Sequence, residues 1–428
     1  HMHPVIHNDS VSYFFLSEID SVRTPGYPGF LEAVLCVNDL FFFTTDYLKW
    51  IVFVQMFGLG ILSSLLLYRI ANILTGNRMF SLIMGVLYNL NYFIISFEFQ
   101  LLTESLSTAL LLLVLTLYLE YFKGKKILGL VGGVLFVALV YTKPSFLLLG
   151  LGMPVLTFLL FYKFKGNPKV RRPAATVLLL FLIIQVLGIA GWSIRNQIKY
   201  DYFGITTILP FNLRMYTNPL IHKYQPTGDA QVDRIAAIYA EEFAKTGSGS
   251  PTYFNFEIRS MLEMGLTDIQ VSRDFLKVNL KLLRDYPSEY FQRVPDSFTQ
   301  YYRQYSTYWS AGNARPLLAK GSLVSRLLRF FFRIYKFLFI TPYLAWLVVI
   351  AAPLIILWLK RKDRFALHGW LQVEAVIHYN CLIAVFTTYA GVNNLRYRAA
   401  VEPLILLVLF AAFFELGRMA LGRLRTQA

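Results

Sequence analysis

Apolar blocks of about 20 residues alternate with short polar connections along this chain, the pattern of helices that cross a bilayer. Blocks bounded by charged or turn residues predict nine spans near 48–71, 79–97, 104–122, 127–142, 144–162, 174–194, 342–359, 366–390 and 400–418. Four regions follow: a first external loop (1–47), a six-span bundle (48–194), an external cap (195–341), and a three-span bundle with a cytoplasmic C-terminus (342–428). Within the cap, Ile269, Leu276, Leu280 and Leu283 recur at helical spacing on a polar background that ends at Pro287, which predicts an amphipathic helix. The predicted fold class is thus all-α: a polytopic membrane protein with juxtamembrane helices and a small helical cap on its external face.

The segment 325–341 has a different pattern. Arg326, Arg329, Arg333 and Lys336 repeat at three, four and three residues, while Leu327, Leu328, Phe331, Phe332 and Tyr335 cover the remainder. This is the pattern of a helix lying in the membrane interface with its basic side toward headgroups. An orienting collar for any anionic lipid and a phosphate-specific site both fit it.

Charge then orients the bundle. Alternate connections carry Arg69 and Arg78; Lys123, Lys125 and Lys126; Lys163, Lys165, Lys169, Arg171 and Arg172; Lys360, Arg361, Lys362 and Arg364; and Arg418, Arg423 and Arg425. The short segments on the other side carry only Arg23, Lys143, Arg396 and Arg398, so the positive-inside rule puts the first set in the cytoplasm. An odd number of spans leaves the N-terminus outside, and the expectation is that a further transmembrane helix precedes His1. An outside N-terminus is the alternative.

Composition agrees with this picture. The 428 residues are 56% hydrophobic and 15% charged, against about 25% charged in soluble domains, which excludes a soluble globule. The net charge of +16 is explained by orientation, so no nucleic-acid partner is expected. Cys36 and Cys381 stand far apart and suggest neither a disulfide framework nor a thiol metal site.

Candidate chemistry collects on the external face. Asp9 lies in His7-Asn8-Asp9-Ser10, followed by Tyr13, Glu18, Asp20 and a Pro/Gly-rich turn from Arg23 to Phe30. This is a way to hold an acid rigidly near the membrane; a solvated loop with a capping Asp is the plain alternative. Glu104 opens a span, where a helix N-terminus stabilises a carboxylate without any further role. Lys143 sits in a hairpin, and Arg396 and Arg398 precede the last span. Basic residues on the face that should be depleted of them suit a phosphate, or they are snorkelling anchors. Glu374 and His378 share one face inside a span as a proton relay, a metal pair or, the favoured reading, a polar lock. No HExxH, P-loop or GxGxxG unit occurs, so zinc hydrolysis, ATP use and dinucleotide binding have no support.

Several segments together resemble one family. They are Asp9-Ser10 with Tyr13, RTPGYPGFLEAV at 23–34, LTESLSTALLL at 102–112, TKPS at 142–145, WSIRNQIKYDYFGITT at 192–207 and NLRYRAAVEPLILL at 394–407. Their order and places resemble the GT-C superfamily of integral-membrane glycosyltransferases, especially the branch of protein O-mannosyltransferases and the aminoarabinose transferases that modify lipid A. The resemblance implies an inverting transfer of a sugar from a polyprenyl-phosphate carrier to a lipid, glycan or protein acceptor on the non-cytoplasmic face; the compact chain and modest external loop point to a bacterial inner membrane. By the same resemblance Asp9 is the general base, Glu104 a second acidic group, and Arg396 and Arg398, with Lys143 and Arg23, the groups toward the carrier phosphate. Many relatives carry an acidic doublet where Asp9 is followed by Ser10. No organic cofactor is implied, and dependence on a divalent metal stays open because no histidine ligand stands out. A flippase for lipid-linked sugars, or a non-catalytic assembly protein, are the readings from other classes.

Overall fold

The computed structural model describes residues 13, 24–42, 44–122, 127–163, 168–246, 250–303, 326, 330, 333, 350–388 and 392–427, and among these it is helical with no strand. Among the described residues five helices are long and apolar enough to cross a membrane: Tyr47–Thr75, Glu104–Phe122, Leu178–Tyr200, Phe365–Thr387 and Glu402–Leu421. Shorter apolar helices, Arg78–Leu90, Ile127–Thr142 and Pro144–Leu159, accompany them. The chain is an all-α polytopic membrane protein.

A helix α1 (Gly26–Val37) precedes the first long one, α2 (Tyr47–Thr75). Inside α2 the stretch Val54–Gly60 widens to a π-helix, a rare form that is frequent at functional sites. The span expected at 79–97 is two helices, α3 (Arg78–Leu90) and α4 (Tyr92–Glu98). Asn91 causes the break: it is extended, with ψ 103°, and its side-chain oxygen accepts from the amides of Phe93 and Ile94, starting a new helix as an N-cap. With 13 residues, α3 covers about 20 Å, less than the roughly 30 Å of a hydrocarbon core.

Helix α5 (Glu104–Phe122) is apolar on all sides, which is the signature of a buried helix. It forms the axis of the bundle. Its most apolar stretch is 78% buried, against 22% for that of α8 (Pro168–Tyr200), whose Leu179, Ile183, Val186 and Leu187 face outward. Helix α8 continues past the expected end at 194 to Tyr200. Between them lie α6 (Ile127–Thr142) and α7 (Leu149–Lys163). The core joins Leu112, Leu115 and Leu119 of α5 to Ile70 and Leu74 of α2, Phe136 and Leu139 of α6, Trp370 and Val373 of α15 (Arg364–Thr387), and Leu404 and Leu407 of α17 (Glu402–Gln427). Deep in this core, Gln372 donates to Thr157 at 2.9 Å, and Tyr118 shares a hydrogen bond with Thr157 and donates to the Met153 carbonyl at 3.1 Å. These bonds tie α5, α7 and α15 where lipid offers no alternative partner.

The cap is built from α9 (Leu209–Thr217), α10 (Ala230–Thr246), α11 (Ser250–Met264), α12 (Asp268–Asp285) and α13 (Pro287–Arg303). Its core gathers Ile235, Tyr239, Phe256, Val271, Phe275, Val278 and Leu282. The amphipathic helix expected here is α12, started by a capping box between Thr267 and Gln270. Its buried face differs in part from the expected one. Ile269 is buried as expected, but Val271, Phe275, Val278 and Leu282 form the rest of the inward face, while Leu276 and Leu283 are half-buried and Leu280 is exposed. Both sets satisfy helical spacing, and the set carrying the large Phe275 ring fits against Tyr239 and Phe256.

Hydrogen bonds from Tyr290 to the Phe386 carbonyl (2.8 Å), Ser297 to the Thr388 carbonyl (2.9 Å) and Tyr301 to Asn380 (2.8 Å) seat the cap on the C-terminal end of α15. The chain closes with α14 (Ala352–Lys360), α15, α16 (Val392–Ala399) and α17. Most of the interfacial helix expected at 325–341 and the first part of the span expected at 342–359, residues 342–349, lie outside the described residues; the rest of that span carries α14.

Candidate functional site

Three segments far apart in the sequence meet at the capped end of the bundle. Glu104 is the first residue of α5, where the helix dipole favours a carboxylate. Lys143 follows α6 in the turn before Pro144, and Arg396 belongs to the two-turn helix α16. The Arg396 Nε donates to Glu104 Oε1 at 2.8 Å, and Lys143 Nζ stands 3.7 Å from the same oxygen. Lys143 also donates to the Arg396 carbonyl at 2.7 Å and lies 5.5 Å from the centre of the Tyr397 ring. Asn212 of the cap donates to the Tyr397 hydroxyl at 3.1 Å. Glu104 is 1% exposed, and burial makes such charged bonds stronger than surface pairs. Burial pulls the Lys143 ammonium down to about 8, and Glu104 pulls it partly back. Among the described residues two cations face one carboxylate here, an arrangement that suits an anion.

Arg398 was expected beside Arg396 as a phosphate contact, and the structure engages it elsewhere. It is 1% exposed; its Nε donates to Glu402 Oε2 at 2.6 Å and one terminal nitrogen donates to the carbonyls of Tyr301 and Tyr302 at 3.2 and 2.8 Å. The guanidinium closes the end of α13 and joins it to α16 and α17. Residues two apart on a helix point about 200° apart, which is why one arginine of the Arg396-Tyr397-Arg398 run reaches Glu104 and the other does not.

The first loop approaches the same place. A Cβ on Gly26 would lie 2.5 Å from the Thr142 backbone nitrogen, so only glycine lets the Thr24-Pro25-Gly26 turn press against the residue preceding Lys143. Tyr13 is buried with its ring 4.9 Å from that of Tyr27, and Tyr27 donates to Gln55 in the π-helical stretch at 2.8 Å. Burial raises the Tyr27 hydroxyl, with Tyr13 and Glu104 adding to the effect. Asp9 and Arg23 lie outside the described residues, as do Arg329 and Lys336. Arg326 and Arg333 are exposed and helical.

Glu98, the last residue of α4, is buried at the same end of the bundle and was not among the expected site residues. It is 6% exposed, accepts from the Tyr88 hydroxyl at 3.3 Å, and sits against Gly60, where a Cβ would fall 2.9 Å from its Oε1. The amide of Gln55 donates to the Glu98 and Gln100 carbonyls, both at 2.9 Å, and fixes the turn that carries it. The available signal was an acid inside the run Phe93-Ile94-Ile95-Ser96-Phe97-Glu98-Phe99, since such residues are costly in an apolar setting. Among the described residues no three His, Cys, Asp or Glu side chains come together to hold a metal ion. Glu374 and His378 do meet, with His378 Nε2 3.5 Å from Glu374 Oε2.

No protein-family model matches this chain, and no curated protein matches it. Among solved structures it is similar to the archaeal oligosaccharyltransferase AglB from Archaeoglobus fulgidus in complex with an inhibitory peptide and a dolichol-phosphate, at 14% identity and a TM-score of 0.49. The similarity covers 95% of this chain and 44% of that one, so this chain spans less than half the length of the archaeal protein. A likeness this distant carries no argument about activity, which has to come from the residues gathered at the capped end.

Proposed function

We propose that this chain is an inverting glycosyltransferase of the GT-C type, moving a sugar from a polyprenyl-phosphate carrier to a lipid, glycan or protein acceptor on the non-cytoplasmic face of the membrane. The observation that supports this reading is the meeting of Glu104, Lys143 and Arg396. They come from the TES, TKPS and NLRYR segments that carry the family resemblance, and they meet within 3.7 Å at one end of the bundle. In the proposed reaction Asp9 takes the proton of the acceptor hydroxyl, and the acceptor oxygen forms its bond to the anomeric carbon from the face opposite the phosphate. The bond from that carbon to the phosphate oxygen breaks, and the electron pair leaves on the polyprenyl phosphate. Arg396 and Lys143 stabilise the charge on the departing phosphate, while Glu104 holds both cations in place. The carrier already holds an activated sugar, so no nucleotide site is needed.

The test is sugar transfer or release from a panel of labelled polyprenyl-phosphate sugars by purified protein and its Asp9→Asn variant in matched detergent. Turnover by the wild type that is lost in the variant is expected, because the substitution removes a proton acceptor with little change of shape. Equal turnover removes Asp9 as the base. Binding of a donor without turnover in either protein favours the flippase reading, to be followed by transbilayer movement in liposomes.

A further inference from the structure

Glu98 and Glu104 face a single small cavity of about 10 Å³, bordered also by Tyr88, Ser105 and Thr108. That is room for about one water molecule. The two carboxyl groups enter it in different states. Glu104 Oε1 is held by Arg396 and stands near Lys143, whereas Oε2 is buried with no hydrogen-bond partner among the described residues. A buried acceptor of this kind needs a donor. Glu98 has the donor to give: burial pushes its carboxyl up to about 8, only partly opposed by the Tyr88 hydrogen bond, so at neutral pH it keeps its proton. The close approach of Gly60 holds the Glu98 carboxyl against the π-helical stretch.

We propose that this cavity is a one-water site in which Glu98, as a carboxylic acid, donates through a buried water to Glu104 Oε2. Glu98 is then a positioning residue: it fixes the rotamer of Glu104 from one side while Arg396 fixes it from the other. The groups that face Glu98 are Tyr88 from α3, Gln55 and Gly60 from α2, and Glu104 from α5 with Lys143 and Arg396 on its far side; Arg398 stands 5.5 Å from the ring of Phe93 on α4. None of this depends on which reaction the site performs.

The experiment is infrared difference spectroscopy of the full chain in lipid nanodiscs, in light and heavy water. A carboxylic-acid carbonyl band is expected in the wild type at neutral pH, lost in Glu98→Gln, and bleached as pH rises through about 8. Glu104→Gln and Tyr88→Phe should each shift that band, because each changes one of its hydrogen-bond neighbours. These two variants carry the test if Glu98→Gln fails to fold. A spectrum in which Glu98→Gln removes no band, or in which Glu104→Gln leaves the band at its wild-type frequency, overturns the proposal. A merely structural glutamate would not couple spectroscopically to Glu104.

Discussion

At the capped end of the bundle, Glu104, Lys143 and Arg396 form buried contacts between segments more than 250 positions apart in the case of Lys143 and Arg396. At the opposite end, Arg69 meets Glu120, Lys360 meets Glu415 at 2.6 Å, and Arg418 reaches Glu415 at 3.7 Å. The two arginines there are more open: the side chains of Arg69 and Arg418 are 43% and 57% exposed, against 16% for Arg396 and 10% for Lys143, while Lys360 at 17% is as enclosed as Arg396. A half-exposed arginine at a bundle end keeps its solvation and orients the chain in the membrane. A buried one has given up solvation, so its position is set by a partner, and removing the partner leaves a charge with nothing to replace it.

The sharpest way to break this contrast is to remove one member of the most buried pair. Glu402→Gln should cost about 3–5 kcal/mol by stranding Arg398, read as a lower unfolding midpoint in detergent; an unchanged midpoint would show that the Tyr301 and Tyr302 carbonyls suffice for the arginine. Arg396→Gln should weaken binding of a labelled polyprenyl phosphate by about 1.5–3 kcal/mol, the worth of a charged hydrogen bond, and equal affinity would remove Arg396 from the donor site. At the opposite end, Arg418→Ala should change stability by about 0.5 kcal/mol or less, with even that difference fading in high salt. A larger loss there would end the distinction between the two ends.

The smallest expected effect concerns acid. Asp233 in the cap accepts from the Thr227 and Gly228 amides, and these bonds, that of Thr227 first, hold its carboxyl below the ordinary value of 3.8. Its folded value lies below its unfolded one, so its contribution is present above about pH 4 and is lost as pH falls through the folded value. Lowering the pH below 4 should therefore reduce the midpoint of the wild type slightly more than that of Asp233→Asn; equal slopes would mean that the turn does not matter to the cap.

Much of this arrangement was legible in the chain. Apolar blocks bounded by charge located α5 and α15 and the start of α17 within a few residues, because a helix in lipid needs about 20 apolar residues and little else. Asn91 was harder to read: its neighbours are apolar enough for an unbroken span, and the break comes from one side chain turning onto two backbone amides. Leu280, which is exposed, misled for a related reason, since spacing names a face of α12 but not the neighbour it packs on. Glu104, Lys143 and Arg396 were singled out by position and by family resemblance, whereas Glu98 was passed over because its importance lies in what surrounds it.

Sequence alone thus determined that the chain is helical, that it threads a membrane, and that its unusual charges gather on one face; these follow from local composition and from solvation, which act residue by residue. Tertiary structure decided which of those charges are partners. It turned Arg396 onto Glu104 and Arg398 onto Glu402, and it closed Glu98 into a cavity with Glu104. The reason is geometric: residues two apart on one helix point to different neighbours, and the identity of a neighbour hundreds of positions away is set only when the bundle is packed.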